Sequence, residues 1–402
     1  MELYQHQKDV LALSPDKYLF CWDCGTGKTR SSIELIEQKT FDVLLIVPKG
    51  LVANWRRELE KWSNQQTGYS IYTKEQFKKA QMEGTIRAHD AVLVDEIHFF
   101  AGMTSQFSKS LIKYLHQHDV RYVYGLTATP FLSNPWNVYR LAQVFGHKWN
   151  YRAFESKFFY NINMGGRMIP TLRPNMQDEL ARYVAQLGKS VRMDETADMP
   201  EVNFTEEYFE LNKKQEKLMT EAYDPNPLTR FTREHQICGG TLKGDDFTNS
   251  VVIRVDKRQR VLDLAEEHDK LIVVCRYQLE VEALENTLSD AGHKVYSFTG
   301  DTEDRDGVLQ RARQEDKVVL IVTAGCSEGW EYPEVAMMVF YSYDFSLKNY
   351  IQMLGRIQRR NKLGKRTYLS LITKGTVDEE IFKCLLKKES FHSAIYAKKL
   401  TK

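Results

Sequence analysis

A glycine-rich segment directly after a short apolar run is the feature that most restricts the fold of this chain. The apolar run is Tyr18–Cys21, and the segment WDCGTGKT, Trp22–Thr29, follows it. Backbone amides at a helix start bind phosphate, glycines let the loop approach it, and a lysine neutralises its outer charge. The usual loop pattern has glycine where this chain has Trp22, so the match is incomplete. The candidate phosphate ligands are Gly25, Thr26, Gly27, Lys28 and Thr29.

A second apolar run, Ala91–Val94, ends in two carboxylates, Asp95 and Glu96. Alone, such a pair is more typical of a solvated turn or a helix start. Beside a phosphate loop, it lies where a Mg²⁺ ligand and a base that activates water belong. The sequence therefore predicts an ATP site that uses Mg²⁺.

The alternation of apolar and amphipathic stretches predicts the architecture. A chain of 402 residues, 42% of them hydrophobic, can form two or three domains. The alternation covers the first 145 residues and resumes near residue 256, as in parallel sheets with crossover helices. We therefore expect an α/β protein with lobes at 1–148 and 256–402 and a mainly helical insertion and linker at 149–255. The predicted strands are Tyr18–Trp22, Val43–Val47, Ala91–Val94, Tyr122–Thr127, Leu271–Cys275, Lys294–Phe298, Val318–Thr323, Met337–Tyr341 and Thr367–Ile372.

Several other classes are disfavoured. No stretch approaches the roughly 20 apolar residues of a membrane span, and the N-terminus lacks a secretory apolar segment, so we expect a soluble, cytoplasmic protein. Only Cys21 and Cys24 are close among six cysteines, which disfavours a zinc or redox site. A net charge of +2 is too small to mark a dedicated nucleic-acid binder, so any polyanion groove must come from local clustering.

Read in order, the motifs resemble those of the superfamily 2 helicases and translocases, and most closely the Swi/Snf-like branch with its small phage-encoded members. The resemblance covers nearly the whole chain. It implies two RecA-like lobes and an ATP hydrolase that moves on or remodels DNA in a phage or prokaryotic setting. The segments that carry it are LYQHQKDV, LIVPKGLVANWRRELEKW, LVDEIH, LTATPFLSNPWNVYRLAQVF, TAGCSEGWEYPEV, QMLGRIQRRNK and LITKGTVDEEIF.

The resemblance implies roles for residues of the first lobe. Gln7 would contact adenine, since an amide can both donate and accept in one plane. Thr29 and Asp95 would hold Mg²⁺, and Glu96 would act as the general base or position the water. The residues that would couple nucleotide state to movement are His98, Thr127 and Thr129.

In the second lobe the resemblance places Gln352, Arg356 and Arg359 at the nucleotide. Arg359 is the predicted arginine finger, because a planar, permanently charged donor suits the charge that develops on a transferred phosphoryl group. Gly329 would approach the nucleotide, whereas Glu331 replaces the more usual aspartate or asparagine. The predicted nucleic-acid contacts are Lys49, Thr73, Arg276 and Thr323.

The substrate stays open within these expectations. Phosphate contacts carry no base information, and DNA, duplex or single-stranded, is preferred over RNA only through the resemblance. The chain could instead be an RNA helicase, a nucleotide-gated binding switch, or the motor subunit of a restriction or nuclease complex. Aromatic residues in the middle segment could stack bases, but packing within helices is the better interpretation. They are Phe154, Phe158, Phe159 and Tyr160.

Overall fold

The chain is organised as two compact units, each built on its own sheet. The computed structural model describes residues 2–23, 25–128, 135–164, 167–192, 201–244, 249–358 and 364–386. Described residues before 193 belong to the first unit, and those after 200 belong to the second.

The first unit is a six-stranded parallel sheet in the order β3-β2-β4-β5-β1-β8, with an additional antiparallel pair, β6 and β7. Its elements are α1 (Gln5–Leu13), β1 (Lys17–Trp22), α2 (Lys28–Glu37), β2 (Asp42–Val47), α3 (Val52–Trp62), β3 (Gly68–Thr73), α4 (Lys74–Glu83), β4 (Ala91–Asp95), α5 (Gln106–Gln117), β5 (Tyr122–Leu126), α6 (Asn137–Val144), α7 (Tyr151–Phe158), β6 (Phe159–Met164), β7 (Arg167–Leu172), α8 (Gln177–Ala185) and β8 (Ser190–Val191).

Both faces of this sheet are buried, which explains the continuous apolar runs. In β2, Leu44 and Ile46 belong to one core cluster. Val43, Leu45 and Val47 belong to the other. Successive side chains of a strand point to opposite faces, so a strand covered on both sides must be apolar at every position.

Strand register brings the candidate residues of the first unit to one edge. Asp95 of β4 pairs with Leu126 of β5, and Leu126 pairs with Phe20 of β1. The three strands are parallel neighbours, so their carboxyl ends are level. The loops that follow them therefore lie side by side, where open α/β sheets commonly bind ligands.

The second unit is also a six-stranded parallel sheet, in the order β13-β14-β12-β15-β16-β9, with a short antiparallel pair, β10 and β11. Its elements are β9 (Val202–Phe209), α9 (Lys213–Glu221), α10 (Pro227–Cys238), β10 (Thr241–Leu242), β11 (Val251–Val252), α11 (Asp256–Glu267), β12 (Lys270–Cys275), α12 (Gln278–Asp290), β13 (Val295–Phe298), α13 (Arg305–Gln314), β14 (Val318–Thr323), β15 (Met337–Phe340), α14 (Leu347–Leu354) and β16 (Arg366–Thr373).

The predicted fold class, two RecA-like α/β lobes, is confirmed by these two sheets. All nine predicted strands are present, with ends that differ by no more than one residue. The boundaries at 148 and 255 stay predictions. The segment between them contains strands as well as helices, and packing divides it: α7 and α8 lie in the first unit, whereas β9 pairs with β16 in the second. Phe154, Phe158 and Phe159 are buried in the first core, in agreement with the packing interpretation.

The described residues bear on three features that the sequence disfavours: a membrane span, a metal site formed by cysteines, and a redox-active cysteine pair. Within them, no helix is long and apolar enough to cross a membrane. No group of three histidine, cysteine or acidic side chains in the same ranges is arranged to hold a metal ion. Burial raises the pKa of the Cys21 thiol, against the opposing charge of Lys28, so this thiol is poorly suited to redox chemistry. Cys24 lies outside the described residues.

A buried ion pair fixes α11 to the chain that follows β16. Lys257 and Asp378 are 2% and 1% exposed, and the Lys257 Nζ lies 2.5 Å from the Asp378 Oδ2. The backbone amide of Thr373 donates to the same oxygen at 2.9 Å. Burial alone would raise the pKa of Asp378, but the Lys257 ammonium and the His235 ring outweigh it and hold the pKa well below its usual range.

We expect Asp378→Asn to destabilise the second unit at pH 7 by roughly 3–5 kcal/mol, because it leaves the Lys257 ammonium buried without its charge partner. A depressed carboxyl pKa stabilises the fold above the unfolded-state pKa, about 3.9 for aspartate. The difference between wild type and variant should therefore shrink as the pH falls below that value. Urea unfolding monitored by hydrogen exchange of β12 and β16 peptides measures it.

Asp269→Asn is the control, because Asp269 pairs with Lys317 at the surface, where both side chains are more than 70% exposed. It should change stability by less than about 1 kcal/mol. Equal destabilisation by Asp378→Asn at pH 7 and pH 3 would contradict the assigned role of charge.

Candidate active site

The glycine-rich loop joins β1 to α2 through two glycines in the left-handed region. Gly25 has a φ of 83° and Gly27 a φ of 84°. Gly27 is the capping residue of α2, so the loop delivers the chain to the N-terminal end of that helix. The Lys28 Nζ donates to the carbonyls of Trp22 and Asp23 at 2.5 and 2.8 Å. The ammonium therefore lies inside the loop, where phosphate charge is most effectively neutralised.

Four further contacts fix the loop and the start of α2. The Thr26 hydroxyl donates to the Asp23 carbonyl at 2.7 Å, and the His6 Nε2 lies 2.9 Å from the Thr26 carbonyl. The Gln7 Nε2 donates to the Gly27 carbonyl at 3.2 Å and to the Ser31 hydroxyl at 3.0 Å. Helix α1 is thus tied to the phosphate loop by adjacent side chains.

Gln7 supports the loop with an almost fully buried side chain. Its Oε1 accepts a hydrogen bond from the Tyr4 amide at 2.9 Å, and it is 2% exposed. An ideal Cβ on Gly27 would lie 2.3 Å from the Gln7 Nε2, so the loop and this amide are in close contact. The predicted adenine contact of Gln7 stays a prediction.

The two carboxylates lie where β4 ends. The Trp55 Nε1 donates to the Asp95 Oδ2 at 2.7 Å, and the Glu96 amide donates to the Asp95 Oδ1 at 2.9 Å. Burial and the Glu96 carboxylate raise the pKa of Asp95 to about 7, against the Lys28 charge and the Trp55 hydrogen bond. A cation ligated here would favour the ionised form of Asp95.

Glu96 has a strained backbone. Its φ and ψ are 49° and 50°, in the left-handed region. That conformation costs a residue with a Cβ about 1–2 kcal/mol, and such strain is concentrated at functional sites. The turn directs the chain into a short 3-10 helix, Ile97–Phe100, which carries His98.

His98 joins the carboxylate pair to the end of β5. Its Nδ1 lies 3.0 Å from the Glu96 Oε2 and 3.1 Å from the Thr127 Oγ1. Its buried Nε2 has no hydrogen-bond partner among the described residues. The structure therefore brings Glu96, His98 and Thr127 together, whereas Thr129 lies outside the described residues.

The first unit offers a fitting set of ligands for Mg²⁺. This ion takes oxygen ligands and is usually held by one or two carboxylates together with substrate phosphates. Asp95 supplies a carboxylate, and Thr29 supplies a hydroxyl on the first turn of α2, next to Lys28. The Thr29 hydroxyl makes no hydrogen bond within the described part of the chain, so it can accept a metal.

In the second unit, two predicted nucleotide contacts are hydrogen-bonded within their own unit. Gln352 is fully buried on α14, and its Oε1 accepts a hydrogen bond from the Ser327 hydroxyl at 2.8 Å. Arg356 is 8% exposed and donates to the carbonyls of Gln352 and Trp330. These bonds join the segment after β14 to α14.

Of the two remaining candidate residues in the second unit, Gly329 lies within the described residues and Arg359 does not. Gly329 has a φ of 86°, which explains why glycine stands there. Arg359, the predicted finger, lies outside the described residues. None of these placements tests the predicted catalytic roles, which stay predictions.

The four predicted nucleic-acid contacts lie at or just after strand ends. Lys49 is exposed directly after β2, and the Thr73 hydroxyl accepts from the Gln76 amide at the start of α4. In the second unit, the Thr323 hydroxyl donates to the Cys326 sulfur at 3.2 Å. Arg276 follows β12 and is half-buried. Their contacts with a polynucleotide stay predictions.

Two supporting residues were not predicted from the sequence. Trp55 contacts Asp95 from a position 40 residues earlier, and Ser327 contacts Gln352 from a position 25 residues earlier. Both stand inside motifs that carry the family resemblance, so proximity to a motif was the available signal. The sequence does not show which side chain of a helix faces a particular strand end.

Comparison with known proteins finds a family match within the second unit. Residues 256–361 match the family described as "Helicase conserved C-terminal domain". The chain is similar to the ATP-dependent RNA helicase DBP3 of Gibberella zeae, at 29% identity over 118 residues, which are 27% of this chain and 20% of that protein. It is also similar to the DEAD-box ATP-dependent RNA helicase 5 of Arabidopsis thaliana, at 26% identity over 174 residues, which are 40% of this chain and 32% of that protein. The chain therefore spans less than a third of the length of either relative.

A solved structure is also similar, the Sulfolobus solfataricus SWI2/SNF2 ATPase core in complex with dsDNA. The superposition covers 98% of this chain and 93% of the Sulfolobus chain, with a TM-score of 0.43 and 17% sequence identity. A likeness at this level is too weak to carry an argument about function.

The parallel sheets define an α/β protein, and the glycine-rich loop between β1 and α2 is of the kind that binds phosphate in nucleotide-binding proteins of this class. Residues 256–361 of its second unit match a helicase C-terminal domain, in agreement with the resemblance of the motifs to the superfamily 2 helicases. The Swi/Snf-like branch and the phage-encoded members stay predictions.

We expect Gly27→Ala to weaken ATP binding by at least about tenfold, because the new methyl group collides with the Gln7 amide and the left-handed backbone adds about 1–2 kcal/mol of strain. Gly84→Ala is the control: Gly84 has a φ of 69°, and a Cβ there would meet nothing within 4 Å. Gly84→Ala should destabilise the fold through the same left-handed backbone strain but should leave the affinity for ATP unchanged. Titration with a fluorescent ATP analogue measures both, and equal affinities would contradict the assigned contact.

We expect Trp55→Phe to raise the Mg²⁺ concentration needed for ATP hydrolysis by about 10–100-fold, because it removes the hydrogen bond that orients Asp95. Trp62→Phe is the control, since the Trp62 Nε1 donates to Glu58 at 2.9 Å, away from Asp95. The measurement is hydrolysis rate against Mg²⁺ concentration at saturating ATP. A similar shift in both variants would indicate a general packing defect.

Proposed function

We propose that this protein is an ATP hydrolase that is stimulated by nucleic acid and that uses ATP to move on or remodel DNA. The observation that carries the proposal is the position of His98, whose Nδ1 contacts both Glu96 and Thr127. A carboxylate beside a phosphate loop can support hydrolysis alone. Its link through a histidine to the next strand end is what a coupled motor additionally needs.

The described residues support a division of labour in hydrolysis. Lys28 neutralises the outer phosphates, and Thr29 and Asp95 would hold Mg²⁺, which supplies charge stabilisation when bound. Glu96 would orient the attacking water and accept its proton. The His98 Nδ1 lies 3.0 Å from the Glu96 Oε2, so loss of the ring should change the orientation of the proposed base.

Arginine from the second unit would complete the reaction. Arg359 is assigned as the finger that meets charge developing on the transferred phosphoryl group. Arg356 is nearly buried and hydrogen-bonded to backbone carbonyls, which favours a role in supporting the segment that presents Arg359. Movement needs ATP to bind two arrangements of the protein with different affinity, and an arginine that contacts ATP in one of them would supply that difference.

DNA is the proposed track, and RNA is the second candidate. The DNA proposal rests on the resemblance to the Swi/Snf-like branch. The RNA candidate is favoured by the names of the two relatives described above, each of which is an RNA helicase. A slow nucleotide-gated binding switch would use the same ATP site without movement. The motor subunit of a nuclease complex would need a separate nuclease partner.

We expect duplex or single-stranded DNA to accelerate phosphate release by the purified protein, with RNA less effective. Glu96→Gln should abolish hydrolysis while ATP still binds, and Lys28→Ala should weaken binding. Arg359→Ala should lower hydrolysis by about 10³-fold or more with little loss of affinity, whereas Arg360→Ala is the matched control and should retain most activity.

Equal rates with DNA, with RNA and without a polynucleotide would overturn the proposal. Biological function that survives Glu96→Gln would favour the binding switch. Cleavage of supercoiled DNA that appears only with a copurifying protein would favour the nuclease motor.

A further inference from the structure

An arginine and two phenylalanines form a partly exposed surface on the second unit, here called the aromatic platform and consisting of Arg276, Phe231 and Phe345. The Phe231 and Phe345 ring centroids are 4.9 Å apart. The Arg276 guanidinium carbon lies 5.5 Å from the centre of the Phe345 ring. Phe345 is 42% exposed, which is high for so large an apolar side chain.

The aromatic platform carries the positive charge of Arg276, which the neighbouring carboxylates of Asp344 and Glu280 do not neutralise. The Asp344 carboxylate accepts from the Ser346 amide at 2.8 Å and from the Asn349 side chain at 2.7 Å, so it is bound to the start of α14, whose N-cap residue is Ser346. Glu280 accepts from the backbone amide of Arg276 and from the Ser342 hydroxyl at 3.2 and 2.5 Å. No carboxylate of the described residues lies within salt-bridge distance of the Arg276 guanidinium. Its charge therefore remains available to an anionic ligand.

Strand register places this surface beside another predicted nucleic-acid contact. Cys275, immediately before Arg276, pairs with Thr323, and Val274 pairs with Phe340. The ends of β14, β12 and β15 are therefore level neighbours. Phe345 lies in the loop between β15 and α14, so a strand whose phosphates contact Arg276 and Thr323 would pass close to its ring.

We propose that Phe345, supported by Phe231 and Arg276, stacks on an unpaired base of a single-stranded nucleic acid. The inference rests on the proposed function and specifies its substrate as a strand with exposed bases. Phosphate contacts alone would hold duplex and single strand alike, because both present phosphates. An exposed ring beside an unpaired arginine matches the combination of stacking and charge that binds single strands. Stacking accepts every base, so no sequence preference is expected.

The test compares binding of fluorescent 20-nucleotide oligo(dT), the same length of oligo(rU), oligo(dT) with abasic sites, and duplex DNA by anisotropy. Phe345→Ala should weaken binding of the two intact single strands by roughly tenfold. Its affinity for abasic and duplex DNA, and its hydrolysis rate without nucleic acid, should match wild type. Phe345→Leu keeps an apolar side chain without the ring and should lose as much affinity for single strands as Phe345→Ala. Phe345→Trp keeps an aromatic ring and should bind single strands as tightly as wild type.

Salt dependence separates stacking from charge. Phe345→Ala should leave the slope of log affinity against log salt unchanged, and Arg276→Gln should reduce it by about 1 on every ligand. Phe204→Ala is the matched control, because Phe204 is a 56% exposed phenylalanine on the edge strand β9 of the same unit. It should bind all ligands as wild type does.

Wild-type affinity of Phe345→Ala for single strands would overturn the platform, as would an equal loss on duplex and abasic DNA. If no polynucleotide accelerates hydrolysis by wild type, the proposed function fails instead. The anisotropy comparison still decides whether Phe345 contacts a base, so the two failures are distinguishable.

Discussion

The hydrogen-bonded register of β4, β5 and β1 is the constraint on which the candidate site depends. It pairs Asp95 with Leu126 and Leu126 with Phe20, so three loops begin at the same level. A slip of one residue would turn each side chain to the opposite face of the sheet. Both faces of β2 are apolar, so close packing of particular side chains, and not an alternation of apolar and polar residues, opposes such a slip. Core packing therefore also determines where the carboxylates lie.

In the second unit, too, the register of neighbouring strands determines which residues lie together at the strand ends. Its strand ends present Arg276 and Thr323, while hydrogen bonds from Ser327 to Gln352 and from Arg356 to Trp330 stabilise the segment before the predicted finger. The buried pair of Lys257 and Asp378 joins α11 to the chain after β16. This unit therefore combines buried polar contacts around an apolar core with a partly exposed basic and aromatic surface.

Most strands of the two sheets and the glycine-rich loop of the candidate site could be predicted from the sequence. Strands buried on both faces appear as continuous apolar runs, and the phosphate loop has a distinctive pattern of glycines. The strands β3 and β9 were missed because both lie at sheet edges, where partial solvent exposure removes the apolar run. The contacts of Gln7 with Gly27 and of Trp55 with Asp95 depend on how helices pack over strand ends, which no local pattern records.

The backbone of Glu96 has a consequence for how such a protein can evolve. A glycine would adopt its φ of 49° without strain, so replacement by glycine should make the chain more robust. The same replacement would delete the carboxylate assigned to water activation. Under the role proposed for Glu96, stability of the fold and rate of hydrolysis would therefore compete at this single position.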